Sequence, residues 1–269
     1  MASIGKMAAD NWLFLPKPNP YASLRMFCFS HAGSDAFAFK LWPDILPSQV
    51  ELCAVQLPGR TNRLHEPAFT NMSALLDALL TALLEMLDRP FVVYGHSLGA
   101  LIGFEFVRHL RQQSNRHPLH LFVSGRRAPH LPSRMVSMAH LPHDDFITEL
   151  RKLNGTPEAI LEHPELVQML VPLLRSDLSL HETYTYTTQE PLDCPISAFG
   201  GLEDPRAYQS EIAEWESYTK STFTIRMFPG DHFFVQGSRE QFLQAIVHEL
   251  GPYLTEVGER PDAPEQRVQ

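Results

Sequence analysis

Short, mostly apolar runs alternate along this chain with stretches that are apolar on one helical face only. Residues 24–30 (LRMFCFS), 50–57 (VELCAVQL), 91–94 (FVVY), 119–124 (LHLFVS), 196–199 (ISAF) and 222–228 (TFTIRMF) read as buried strands, most of them closed by Gly or Pro. Between them, 37–46, 72–88, 97–111 and 239–250 carry apolar residues at helical spacing. The clearest case is 72–88, with leucines at 75, 76, 79, 80, 83, 84 and 87 and Asp77, Glu85 and Asp88 off the stripe. Ser238 to Gln241 has the form of a capping box opening the last helix. Strand and helix in turn predict a mostly parallel sheet with helices on both faces.

The alternation fails over 132–190, which holds helical patterns and no strand. Phe146, Ile147, Leu150 and Leu153 share one face and stop at Asn154-Gly155. Leu166, Met169, Leu170, Leu173, Leu174 and Leu178 define a second face, with Pro172 expected to kink it. This segment reads as a helical lid inserted in one domain spanning 1–254, followed by a polar tail over 255–269 that is expected to fray.

Composition narrows the setting. With 269 residues and 44% hydrophobic side chains the chain can bury a sizeable core, and a net charge of −9 removes any general attraction for nucleic acid or anionic membrane. The first twenty residues include Lys6, Asp10, Lys17 and three prolines with no long apolar stretch, so neither signal peptide nor membrane anchor is expected there. Three cysteines, Cys28, Cys53 and Cys194, lie in or beside strand-like runs, as free thiols in a reducing cytoplasm would.

The candidate chemistry starts at Gly95-His96-Ser97-Leu98-Gly99, a G-x-S-x-G pentapeptide at a strand-to-helix junction. Chance alone supplies such a pentapeptide in roughly one chain in ten of this length. The junction is what raises its meaning, because a sharp turn there projects the serine hydroxyl from the sheet edge. A serine needs an adjacent base, and two later loops supply the order Ser, Asp, His: Asp204 after the strand at 196–199, and His232 after the strand at 222–228. Among thirteen histidines, His31, His96 and His109 are the rivals for base, and Glu203 and Asp231 the rivals for acid. The expected oxyanion donors are the backbone N–H groups of Leu98 and Ala32, with Gly33 in reserve. Together these residues predict an α/β-hydrolase fold with a helical lid, cleaving acyl esters or thioesters through an acyl-enzyme.

Five segments then resemble one family: FSHAGS at 29–34, VQLPGR at 55–60, YGHSLGA at 94–100, LFVSGR at 121–126 and FPGDHFF at 228–234. The chain resembles the type II thioesterases that serve polyketide and nonribosomal peptide synthetases, and the related medium-chain fatty acid synthase thioesterases, over residues 24–250. Ser34-Asp35 after HAG departs from the small residues frequent in that family. The resemblance implies hydrolysis of acyl groups from the phosphopantetheine arm of acyl or peptidyl carrier proteins, clearing stalled or misprimed domains. It implies no cofactor and no metal, and a monomer is the default expectation. Arg60, Arg63, Arg126, Arg127 and Arg134, near the strand ends, are candidate contacts for an acidic carrier or its phosphate. Two other readings share parts of this pattern: an esterase or lipase of free esters, and a non-catalytic module that binds carriers.

Overall fold

The computed structural model describes residues 6–8 and 11–256. Eight strands form one sheet: β1 (Lys6–Ala8), β2 (Leu13–Leu15), β3 (Leu24–Phe29), β4 (Val50–Val55), β5 (Phe91–His96), β6 (Leu121–Ser124), β7 (Ile196–Gly201) and β8 (Phe223–Phe228). Their order across the sheet is β1-β2-β4-β3-β5-β6-β7-β8. Strands β3 to β8 pair in parallel, and β1 and β2 extend one edge antiparallel. That edge hairpin was not expected, since three-residue strands are too short to show a period.

Six parallel strands need crossovers. These include α1 (Met72–Leu83), α2 (Leu98–Gln113), the lid helices α3 (His143–Lys152), α4 (Glu158–Leu161) and α5 (Pro164–Glu182), and α6 (Gln209–Ala213); α7 (Phe234–Gly237) and α8 (Arg239–Glu256) follow β8. β3 and β5 are buried at every position, which explains why they read as continuous apolar runs. One face of the sheet is packed by α1 and α2 through Leu75, Leu79, Leu83, Phe104 and Phe106. The other is packed by α8 through Phe242, Leu243, Ile246 and Leu250. Each such fully buried side chain stabilises the fold by about 1.5–3 kcal/mol relative to exposure.

Several expected elements differ. Residues 37–46 form two 3-10 turns, Ala36–Phe39 and Trp42–Asp44, and Pro43 and Pro47 leave no room for a longer helix. The helix from 72 ends at Leu83 and tightens into a 3-10 turn over Leu84–Met86. The reciprocal bond of a capping box is not available at Ser238, because its backbone N–H donates to the Phe234 carbonyl at 2.8 Å, and its hydroxyl donates to that of Pro229. The polar tail expected over 255–269 lies outside the described residues from position 257 onward.

The lid has its own core, Phe146, Ile147, Leu150, Leu161, Val167, Val171, Leu174 and Leu178 among others, separate from the two sheet faces. The first lid helix stops where expected, with Asn154 rather than Gly155 taking the left-handed conformation (φ 49°). On α5 the buried stripe is shifted by one residue from the expected one. Val167 and Val171 turn inward, while Leu166 and Met169 stay 44% and 57% exposed.

Candidate active site

β5 ends at His96 and α2 starts at Leu98, so Ser97 alone makes the turn, at φ 56° and ψ −114°. That strained conformation needs close backbone packing on both sides. A Cβ on Gly95 would lie 2.2 Å from the Gly99 carbonyl oxygen, and one on Gly99 would lie 2.2 Å from that of Phe29. Glycine is therefore the residue that fits at both positions, and α2 sits hard against β3.

The three residues expected from the motif and its order come together. His232 Nε2 lies 2.9 Å from Ser97 Oγ, and His232 Nδ1 lies 2.7 Å from Asp204 Oδ2. The other Asp204 oxygen accepts the backbone N–H of Arg206 at 2.9 Å, so the carboxylate is held at both ends. Asp204 and His232 are 2% and 4% exposed. Burial lowers the His232 pKa below its ordinary value, against the opposing pull of Asp204. The imidazole is accordingly neutral near pH 7, with Nδ1–H directed to the carboxylate and Nε2 free to accept the serine proton. The loops bearing the acid and the base touch: a Cβ on Gly201 would meet the Asp231 carbonyl oxygen at 2.2 Å.

The rival residues have other employment. Glu203 accepts the Gly230 N–H, and Asp231 accepts that of Phe233 at 2.8 Å, so both shape the turns. His109 contacts Asp77 at 3.1 Å and ties α2 to α1. His96 is buried behind the site, its Nδ1 2.8 Å from Ser124 Oγ, and His31 packs edge-on against it. Burial lowers the pKa of both, that of His31 to about 4.

Of the backbone donors, Leu98 N–H and Ala32 N–H have no protein acceptor among the described residues. The reserve candidate, Gly33, is already committed: its N–H donates to Asp177 Oδ2 at 2.7 Å. Asp177, on α5, went unnoticed in the sequence. Its signal was an acid at an i+3 position within the apolar stripe after Leu174.

The arginine patch divides. Arg60 and Arg63 are corrected: neither is a surface contact. Arg60 is 4% exposed and forks onto Asp177, with Nη2 2.7 Å from Oδ1. Arg63 is 5% exposed, pairs with Glu66 and lies over Trp12 at 4.0 Å. Arg127 and Arg134 both meet Glu211, at 2.9 and 2.7 Å. Arg126 has no carboxylate partner among the described residues and donates from Nη1 to His181 Nδ1 at 3.1 Å. Burial lowers its pKa to about 10, so it stays cationic at neutral pH.

Two spaces meet at Ser97 and His232. One is a chamber of about 70 Å³ under the lid, walled by Leu98, Leu150, Leu153, Leu174 and Leu178. The other is an open cleft of about 590 Å³ lined by Arg126, Arg127, Arg134, Lys152 and Arg206 and by no Asp or Glu among the described residues. No described cluster of three or more His, Cys, Asp or Glu is arranged to hold a metal ion, and no described helix is long and apolar enough to cross a membrane.

A parallel sheet with a serine elbow at the end of β5 and the later acid and histidine loops on the same edge defines an α/β-hydrolase. Within that class the chain belongs to the thioesterase family, whose domain model matches residues 24–250. It is 42% identical to linear gramicidin dehydrogenase LgrE of Brevibacillus parabrevis, over 92% of this chain and 95% of that one. The structure resembles RedJ, a thioesterase from the prodiginine pathway of Streptomyces coelicolor, at 38% identity and a TM-score of 0.80, covering 85% of this chain and 91% of that one. It is also similar to the type II thioesterase BorB from the borrelidin cluster, at 32% identity and a TM-score of 0.81, over 89% and 97% of the two chains. The word dehydrogenase belongs to LgrE's name; the present sequence contains no G-x-G-x-x-G dinucleotide loop. The enzyme is a hydrolase of thioesters.

Proposed function

We propose that Ser97 is the nucleophile of this thioesterase, that His232 is its general base and acid, and that Asp204 orients the imidazole. The observation that carries this reading is the unbroken hydrogen-bond chain from Ser97 Oγ through His232 to Asp204. As Oγ attacks the thioester carbonyl carbon, its proton passes to Nε2, and the N–H groups of Leu98 and Ala32 receive the oxyanion. The C–S bond then breaks and the thiol departs with the proton from His232. A thiol pKa of about 8.5 makes this an easy departure. Water next attacks the acyl ester, gives its proton to Nε2, and the acid leaves as Oγ is reprotonated.

The substrate we propose is an acyl group on the phosphopantetheine arm of a carrier protein, removed to free a stalled or misprimed synthase. The leucine-walled chamber suits the acyl end. The cleft, lined by five basic side chains of which Arg126 has no carboxylate partner among the described residues, suits the arm's phosphate and an acidic carrier surface. Buried, free Cys28, Cys53 and Cys194 are compatible with a cytoplasmic setting, which we include in the proposal.

The test is a comparison of three substrates: an acylated carrier protein, the matching acyl-N-acetylcysteamine thioester and a p-nitrophenyl ester. Arg134→Glu combined with Lys152→Glu is expected to raise KM for the carrier substrate several-fold and to leave the small thioester nearly unchanged. Equal KM values for carrier and small thioester, with rates following ester reactivity alone, would replace this reading with a general esterase. Retained activity in Ser97→Ala would remove the serine from the mechanism.

A further inference from the structure

One buried contact ties the lid to the loop after β3. Asp177, on α5, is 1% exposed and accepts three hydrogen bonds: Gly33 N–H at 2.7 Å, and Arg60 Nη1 and Nη2 at 3.1 and 2.7 Å. Arg60 Nη1 also donates to the Ser34 carbonyl at 2.7 Å, so one guanidinium grips both the lid carboxylate and the loop after β3. That loop is the turn His31-Ala32-Gly33-Ser34, closed by Ser34 N–H to the His31 carbonyl at 3.1 Å, with Gly33 at φ 75°. A second contact falls on the same residue, since a Cβ on Gly33 would meet Leu174 Cδ2 of α5 at 2.5 Å.

From this geometry we infer that Asp177 is a positioning residue for the oxyanion loop, through which the lid helix α5 holds Ala32 N–H in line with the acyl carbonyl oxygen. The inference rests on the proposed roles of Ser97 and Ala32. The physical reason is that a carboxylate accepting the Gly33 N–H fixes the Ala32–Gly33 peptide plane, while the Ser34 N–H bond to the His31 carbonyl fixes the adjoining His31–Ala32 plane that carries the Ala32 N–H, so the two planes are held together. Fixing that plane through the lid has a consequence for selectivity. Leu174, Asp177, Leu178 and His181 fall at i, i+3, i+4 and i+7 on α5, and all four line the acyl chamber. An acyl group that pushes α5 outward therefore disturbs the oxyanion donor directly, so misfit appears as a loss of kcat rather than only as weaker binding.

The experiment uses paired variants, since removing one partner of a buried ion pair leaves the other uncompensated. D177L/R60M replaces the pair by apolar side chains and deletes the acceptor for Gly33. D177N/R60M restores an acceptor oxygen at the same place. Active sites are titrated with a fluorophosphonate, and kcat and KM are measured on an acyl-N-acetylcysteamine thioester, alongside Ki for an acyl trifluoromethyl ketone that occupies the oxyanion site. D177L/R60M is expected to lose kcat per titrated site about a hundredfold, to weaken the ketone in parallel and to change KM little; D177N/R60M is expected to recover most of the loss. A merely structural role would lower melting temperature and titratable fraction while leaving kcat per site intact, and that result overturns the inference. On the parent protein, Gly33 N–H must exchange with deuterium as slowly as the buried amides of α5; fast exchange overturns the inference without any variant. If Ser97→Ala keeps its activity, the failure lies instead with the catalytic reading on which the clamp depends.

Discussion

His232 Nε2 stands 2.9 Å from Ser97 Oγ, and the two residues reach that distance by different devices. Ser97 is thrust out by a backbone strain that Gly95 and Gly99 make room for. His232 is carried on a turn after β8, stabilised by Glu203 and Asp231, and locked by Asp204 from the neighbouring loop. The reactive pair is thus held by two parallel strands and the turns that leave them.

The first prediction concerns the histidine tautomer. Asp204→Asn keeps the shape of the side chain and presents an amide that can turn its N–H toward Nδ1, leaving Nε2 protonated. A fall in kcat of about 10⁴-fold is expected with little change in melting temperature, measured on an acyl-N-acetylcysteamine thioester. A loss below tenfold would deny Asp204 the orienting role.

Activity should also depend on pH in one direction. The His232 pKa is lowered by burial from its ordinary 6.5, and catalysis needs the neutral ring. The acid limb of kcat/KM is therefore expected below pH 6.5, with a plateau through neutrality. An apparent pKa above 6.5 on that limb would contradict the assignment.

Stability should fall with acid for a related reason. His31, His120 and His181 are held neutral by burial, at about 4, 4 and 3, whereas the unfolded chain binds their protons near 6.5. A lowered folded pKa contributes stability that is complete above about 6.5 and is lost as pH falls toward the folded values. The melting temperature is expected to drop steadily between about pH 7 and pH 4.5. A flat profile would mean these rings are protonated in place.

Two glycines make a contrasting pair. Gly99→Ala drives a Cβ to 2.2 Å from the Phe29 carbonyl oxygen and is expected to cost about 3 kcal/mol or more, with loss of Ser97 labelling. Gly237→Ala, at the exposed end of α7, meets nothing within 4 Å among the described residues beyond its chain neighbours, and should change stability by less than about 0.5 kcal/mol. Urea unfolding of both variants checks the order.

The chamber under the lid holds about 70 Å³, roughly two water volumes. Acyl groups of about two to four carbons are expected to give the highest kcat/KM in the parent. Leu178→Ala, which enlarges the chamber wall, should shift the optimum toward longer chains. A graded series of acyl thioesters, read by mass spectrometry, measures the shift.

Much of this protein was legible along the chain. The parallel core strands bury both faces, so they appear as apolar runs, and the G-x-S-x-G turn marks itself because only glycine fits beside a strained serine. The order of Asp204 and His232 follows from parallel strands, whose C-terminal ends all open on one edge. What the sequence left undecided depends on contacts distant in the chain. Arg60, Arg63 and Arg126 look alike as residue types, yet Asp177 lies 117 positions from Arg60, and only folding shows which guanidinium is spent on an internal carboxylate and which faces the cleft. Gly33 looked free to donate until α5 came down upon it. Apolar pattern and glycine placement determined the scaffold and the nucleophile, because those are local demands of backbone sterics. Which polar groups remain unpaired at the site was decided by tertiary packing, because a hydrogen bond or ion pair is satisfied by whatever the fold brings near.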